Sequence, residues 1–320
     1  MPDFPTLDEI QKAANRIRPH IHRTAVLTCT AVNKMVGGEI YFKCENFQKA
    51  GAFKIRGATN AVFSLDEKEV SHGVATHSSG NHAAALALAA KSRGVKAYVV
   101  MPENAPQVKK EAVAGYGAEI FFCTPTLRAR EETLAKVVDE TGATAIHPYN
   151  DFLIIAGQAT AALELLEDIS DLDIIMTPIG GGGLTSGTAL SVRSISPRTK
   201  VIATEPQGAD DAYRSFRSGK LIPSENPRTI ADGLLTSLGD KTFPIVKSFV
   251  DDIVTVSEDG IIEAMRCIWE RMKIIIEPSA AVPLGTLLTH RLDISGKRVG
   301  IILSGGNVDL DRLPWLTEKA

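Results

Sequence analysis

The chain has 320 residues, 44% of them hydrophobic, and 35 Lys and Arg against 38 Asp and Glu give a net charge of −3. That length allows one large or two modest domains with a sizeable core, and the near-balanced charge offers no field for nucleic acid. No apolar run reaches the length of a membrane span, and Met1-Pro2-Asp3-Phe4-Pro5 lacks a basic-then-apolar signal. The four cysteines (Cys29, Cys44, Cys123, Cys267) lack C-x-x-C spacing, so free thiols and a cytoplasmic location are expected.

The periodicity predicts an amphipathic helix over residues 7–17 and a strand over 40–44. A strand begins at 73–76, followed by Ser78-Ser79-Gly80-Asn81-His82 and an alanine-rich helix over 83–91. Further strands are predicted at 97–101, 119–123 and 144–147, with helices between them. The later half repeats the scheme with strands at 173–179, 201–204, 252–256 and 299–303. Alternation of this kind predicts an α/β fold: two doubly wound, parallel-sheet lobes, closely packed, with a boundary near residue 150. A ligand between them would sit at the carboxyl ends of the strands.

Gly180, Gly181, Gly182 and Gly183 directly follow the apolar run 173–179, and a helical pattern resumes at 184–190. A strand, a glycine turn and a helix N-terminus make an anion site, because free N–H groups and the helix dipole both favour phosphate. A phosphorylated cofactor is therefore expected. The G-x-G-x-x-G pattern is not met, since Thr185 and Ser186 stand where its last glycine would fall, and no Lys follows Gly187 as Walker A requires. A dinucleotide stays open as an alternative, because Glu205 ends the next strand at roughly the ~20-residue spacing of a ribose-binding acid. Ser304-Gly305-Gly306-Asn307 forms a third glycine-bearing strand end beside 78–82 and 180–183, and the three are expected to converge on one crevice. Lys54 lies between Phe53 and Ile55. Partial burial would lower its pKa and free the amine for Schiff-base chemistry, although taken alone it reads as a snorkelling surface lysine.

Phe53-Lys54-Ile55-Arg56-Gly57, Ser78-Ser79-Gly80-Asn81-His82, residues 180–183 and Ser304-Gly305-Gly306-Asn307-Val308-Asp309 occur in that order. Together they resemble the serine racemase and serine/threonine dehydratase family of pyridoxal-phosphate enzymes (fold type II, tryptophan synthase β-like) over nearly the whole chain. The resemblance implies a large cofactor-binding domain of residues 1–72 and 151–320, a small domain of 73–150, and a homodimer. It implies that Lys54 carries the cofactor, Phe53 lies against its ring, and Asn81 bonds its phenolic oxygen. Gly180 to Gly183, with Leu184, would cradle the phosphate, and Ser304 would face the ring nitrogen. Ser79, Gly80, Asn81 and His82 would bind the substrate carboxylate. A neutral serine at the ring nitrogen makes the ring a weaker electron sink than a charged partner would, which suits prompt loss of a β-hydroxyl. The freed Lys54 amine would take the α-proton, and the enamine product would hydrolyse to a keto acid and ammonia. Ser79 matches the second acid/base of racemisation, or serves only as a carboxylate-binding hydroxyl.

The resemblance also implies a divalent cation, Mg²⁺ or otherwise Ca²⁺ or Mn²⁺, at Glu205, Asp211 and the carbonyl of Ala209, an oxygen set that suits such ions. Arg130 aligns with an arginine near the substrate cleft, its ordinary reading being a helix-face salt bridge. His147-Pro148-Tyr149-Asn150 either meets the substrate side chain or closes the domain. Ala84 stands where animal racemases carry glutamine, so nucleotide regulation of that kind is not expected. Nor is isoleucine feedback, because the chain ends soon after the Ser304 motif. The expected activity is dehydration of L-serine or L-threonine with serine racemisation. Alternatives are 3-hydroxyaspartate, with Arg130 or His147 for its second carboxylate, a nicotinamide oxidoreductase, and a non-catalytic binder, which an intact Lys54 disfavours.

Overall fold

The computed structural model describes residues 4–78, 80–105 and 107–316. Its strands are β1 (Val26–Leu27), β2 (Glu39–Cys44), β3 (Val74–His77), β4 (Ala97–Pro102), β5 (Glu119–Cys123), β6 (Thr144–Ala145), β7 (Ile174–Pro178), β8 (Lys200–Pro206), β9 (Asp252–Val256) and β10 (Arg298–Leu303). Six of them form one sheet in the order β1-β2-β10-β7-β8-β9, and four form a second in the order β5-β4-β3-β6. All pairings are parallel except β1 with β2. The strands β4, β7 and β10 are apolar and buried almost throughout, as expected of parallel strands covered on both faces.

Helices cover both faces of the larger sheet. Glu258–Met272 and Pro278–Leu288 join one core with Phe42, Met176 and Leu303. Phe152–Asp168 and Gly183–Ile195 join the core on the other face with Ile175, Ala203 and Ile302. The first helix, Leu7–Ile17, starts at a capping box in which Thr6 and Glu9 satisfy each other's backbone N–H, and it buries Ile10, Ala13 and Ile17. The alanine-rich helix Asn81–Arg93 buries residues all round, because it lies between two cores of the smaller sheet.

The chain order sets where a ligand can go. From β7 the chain steps outward through β8 to β9, whereas β10 lies on the opposite side of β7. In the smaller sheet β4 and β5 lie on one side of β3 and β6 on the other. Each reversal opens a crevice at the carboxyl ends of the strands. The glycine turn follows β7, Ser304 follows β10, and the 78–82 turn follows β3.

Two local features depart from the sequence pattern. The strand expected over 144–147 ends at Ala145, because the His147 ring turns the chain by accepting the N–H groups of Tyr149 and Asn150. The two-residue β1 is antiparallel and joins the sheet edge through Val26 and Leu27 opposite Lys43 and Phe42.

Candidate active site

The three strand ends meet around one cavity of about 460 Å³. Phe53, Lys54, Gly80, Asn81, His82 and Arg130 line it, as do Gly180 to Gly183, Leu184 and Ser304. Ser79 lies outside the described residues. Glu205, the acid required by the dinucleotide alternative, does not line this cavity. Its carboxylate instead accepts the N–H groups of Ala212 and Tyr213 at 2.9 and 2.8 Å.

The glycine turn is built for close approach. Gly182 sits at φ 85°, in the left-handed region that favours glycine. A Cβ on Gly181 would fall 2.4 Å from the Tyr149 ring, so no larger residue fits there without movement. The helix Gly183–Ile195 begins at Gly182 with no side-chain cap. Its first-turn N–H groups have no partner within the helix, and Gly183 and Leu184 of that turn line the cavity. A phosphate fits this cradle on geometry alone.

Lys54 starts the helix Lys54–Ser64. The Phe53 N–H donates to the Ser304 carbonyl at 3.0 Å and Ala52 bridges to Gly305, so the lysine turn is fastened to the end of β10. The Lys54 amine donates to the Pro148 carbonyl at 2.9 Å and lies 5.2 Å from the centre of the Phe53 ring. Desolvation lowers its pKa from 10.5 to about 8, against an opposing pull from Glu277. The snorkelling-surface reading of this lysine therefore fails: the half-buried amine lies in the cavity wall and not on the outer surface.

The imidazoles nearby are neutral at pH 7. Burial and the positive field of Lys54 hold His82 well below its ordinary value, and burial, with His77 beside it, lowers His147 to about 4. His147 shapes its own loop and is not part of the cavity wall, which favours the domain-closing reading over substrate contact. Arg130 lies on the helix Leu127–Thr141. The expected helix-face salt bridge belongs instead to Arg128 with Glu132, and the Arg130 Nε is buried with no hydrogen-bond partner among the described residues. Arg130 as a residue lines the cavity, so its guanidinium puts positive charge beside any anion bound there.

Several lining groups carry no motif. Glu277 is 3% exposed and accepts from Asn81 Nδ2 on both carboxylate oxygens, at 2.9 and 3.0 Å. Lys109, from the helix Gln107–Gly115, pairs with Asp232 across the mouth of the cavity. Tyr149 fills the space above Gly181. A carboxylate between the apolar run Ile274-Ile275-Ile276 and Pro278 is the signal that marks Glu277.

The cation expectation falls on an oxygen-rich turn at the end of β8. Asp211 is 1% exposed, and neither of its oxygens has a hydrogen-bond partner of good geometry among the described residues, although the Ser224 hydroxyl lies close enough to pull its pKa down. Burial raises Asp211 to about 6 and Glu205 to about 9. Two buried carboxylates without a paired cation fit a hard divalent ion. No group of three or more His, Cys, Asp or Glu suited to a metal exists among the described residues, so backbone carbonyls would complete the set.

Comparison with known proteins agrees with this geometry. The chain is 53% identical over 312 residues to the β-hydroxyaspartate dehydratase of Paracoccus denitrificans, covering 98% of this chain and 99% of that one. It is 47% identical over 313 residues to the L-threo-3-hydroxyaspartate ammonia-lyase of Saccharomyces cerevisiae, covering 98% and 96%. The crystal structure of serine racemase from Dictyostelium discoideum superposes with a TM-score of 0.92 at 53% identity, covering 95% of this chain and 99% of that one. Residues 17–305 match the family described as pyridoxal-phosphate dependent enzyme, which also overturns the nicotinamide alternative. With Lys54, the glycine turn and Ser304 lining one cavity, and with this family match, the chain belongs to the pyridoxal-phosphate dependent enzymes, and it is similar to hydroxy amino acid dehydratases and serine racemases.

Proposed function

We propose that the chain is an ammonia-lyase of β-hydroxy amino acids that prefers 3-hydroxyaspartate and releases its keto acid and ammonia. The observation that carries this choice is Arg130, a cavity-lining cation with no side-chain hydrogen bond at Nε and no ion pair among the described residues. A β-carboxylate gives that guanidinium a charged acceptor, whereas serine leaves it unpaired. Two relatives named for hydroxyaspartate support the same reading.

Pyridoxal phosphate, when bound, supplies an aldehyde for the substrate amine and a ring that draws electron density from the α-carbon. The protein's own groups do the rest. The turn 180–183 and Leu184, which line the cavity, would hold the phosphate through backbone N–H groups. Ser304 would offer the ring nitrogen a neutral hydroxyl, and Phe53 would pack beside the ring; both line the cavity. The start of the helix Asn81–Arg93, with Ser79, Gly80 and His82, binds the α-carboxylate. Lys54, with its pKa near 8, exists in part as the free amine at neutral pH and takes the α-proton, while the Pro148 carbonyl orients it.

Serine or threonine dehydration with racemisation at Ser79 is the second reading, favoured by the 53% identity to a serine racemase. We assign residues 73–150 to a small domain and 1–72 with 151–320 to a large one. No described helix is long and apolar enough to cross a membrane, and we place the enzyme in the cytoplasm as a homodimer with Mg²⁺ at Glu205, Ala209 and Asp211.

The test is keto acid release from L-serine, L-threonine and each 3-hydroxyaspartate isomer, with enantiomer analysis of serine. One hydroxyaspartate isomer is expected to exceed serine in kcat/KM by tenfold or more. Arg130→Gln is expected to cost that substrate about 10–100-fold, the worth of a charge-assisted hydrogen bond of ~1.5–3 kcal/mol, and to cost serine far less. Preferred turnover of serine, with Arg130→Gln affecting both substrates alike, would transfer the assignment to the second reading.

A further inference from the structure

We propose that Glu277 is a positioning residue whose carboxylate fixes the amide of Asn81 and so sets how the small-sheet side of the cavity meets the cofactor. The proposal rests on the family's cofactor and not on which hydroxy amino acid is turned over.

Glu277 precedes the helix Pro278–Leu288, and its N–H donates to the Gly305 carbonyl at 3.0 Å. A Cβ on Gly305 would fall 2.8 Å from Glu277 Oε1, so that glycine leaves room for the carboxylate. Asn81 Nδ2 donates to both Glu277 oxygens. Asn81 Oδ1 accepts from Asn307 Nδ2 at 3.0 Å, and Asn307 Nδ2 also donates to the Ala50 carbonyl at 2.8 Å. These partners leave Asn81 one amide orientation. A carboxylate has only acceptors, so the Asn81 NH₂ must face it, and the Asn81 oxygen must face the Asn307 NH₂. The two Glu277 oxygens lie on one side of Nδ2 and share one N–H, so the second N–H of the same amide is the donor that Asn81 can offer a phenolic oxygen.

The cost of the arrangement points the same way. Glu277 has no ion-pair partner within reach among the described residues, although Lys54, Lys109 and Asp232 all act on it through their charges. Burial, then the negative field of Asp232, raises it to about 7 against the pull of Asn81 and Lys109. A buried carboxylate kept in a cavity without a paired cation marks a functional position more often than a stabilising one. Asn81 comes from the helix that follows β3, and Glu277 and Asn307 from segments flanking β10. The network therefore joins segments of the two sheets in the wall of the cavity.

The experiment compares the parent enzyme with Glu277→Gln, Asn81→Ala and the double variant. It reads cofactor affinity by titrating the apoprotein with pyridoxal phosphate, and the pH midpoint of the bound cofactor's visible band. A glutamine of the same shape offers the Asn81 NH₂ only one acceptor and adds a competing donor, so Asn81 can turn. Expected for Glu277→Gln are a cofactor Kd raised about tenfold, a kcat lowered more than KM is raised, and a band midpoint moved to lower pH, because a negative charge beside the Lys54 nitrogen is lost. In the Asn81→Ala background, Glu277→Gln is expected to add little to the loss of cofactor affinity. Additive losses in the double variant, or a Glu277→Gln enzyme with parental Kd and band midpoint, would overturn the proposal. Melting temperature identifies a variant that merely fails to fold, and Asn307→Ala, which frees the acceptor side of the same amide, then supplies the second reading of Kd.

Discussion

Lys54 owes its chemistry to where the chain puts it. Its neighbours Phe53 and Ile55 are apolar, but what lowers the amine to about 8 is the wall of the cavity around it. Only the neutral amine attacks an acylating reagent, so its reactivity rises with pH until the pH passes its pKa. Competitive acetylation of the apoprotein, read by mass spectrometry across pH 6 to 11, is expected to place the Lys54 midpoint near 8, about two units below exposed lysines at ~10.4. A Lys54 curve that overlays the exposed lysines would remove the desolvation argument and the lysine's claim to act as a base near neutral pH. At this scale the sequence was legible where a motif existed. Lys54, Asn81, Ser304 and the four glycines all line the cavity that their order implies. Glu277 escaped, since a single carboxylate has no period and its partner Asn81 is 196 positions away.

The helix Lys54–Ser64 is held at its lysine end by a buried charge network. Arg56 donates to both oxygens of Glu45 at 2.7 and 2.8 Å, to both oxygens of Glu164 at 2.8 Å, and to Thr160 Oγ1 at 3.1 Å. Lys43 adds a bond to Glu164 at 2.7 Å. Burial works to raise the Glu164 carboxyl, but the bonds from Arg56 and Lys43 outweigh it and leave it below its ordinary value. Because its folded pKa is depressed, Glu164 contributes stability above the ordinary carboxylate range that is lost as pH falls through the folded value. Arg56→Met leaves two carboxylates short of their main partner, and it is expected to cost about 3–5 kcal/mol in urea unfolding. A loss within ~0.5 kcal/mol would mean that the network adds nothing over an apolar contact. The elements themselves were largely readable: the strands at 119–123 and 252–256 and the helix at 7–17 form over those residues. Apolar runs bounded by turns mark parallel strands well. The order of strands was not readable, because β10 pairs with β2 across more than 250 positions and no local pattern encodes that choice. Nor was β1, whose two residues carry no alternation to read.

Across the whole molecule, the turn at the end of β8 connects the proposed cation to the cavity. The Gly208 carbonyl accepts the Arg228 N–H at 2.7 Å, and a Cβ on Gly208 would lie 1.9 Å from the Arg228 carbonyl, so the following segment lies directly on the turn. That segment continues to Pro227, Asp232, Leu234 and Thr236, which form one wall of the cavity. A cation on Asp211 and Glu205 would neutralise two buried carboxylates and fasten the turn, and through it the wall. Its first effect is then on stability and substrate affinity, and only secondarily on turnover. An ion present at a hundredfold excess over its Kd adds about 2.7 kcal/mol to the folded state, worth several degrees in Tm for a protein of this size. Chelator is therefore expected to lower Tm by several degrees and to raise KM more than it lowers kcat, with Mg²⁺, Ca²⁺ or Mn²⁺ restoring both. Asp211→Asn is expected to lose the Tm response to added cation while keeping the parental cofactor absorption, because the turn lies outside the cavity. A parent enzyme whose Tm and KM ignore chelator and cation alike would instead make this a cation-free turn in which Glu205 stays protonated and is held by the backbone N–H groups of Ala212 and Tyr213.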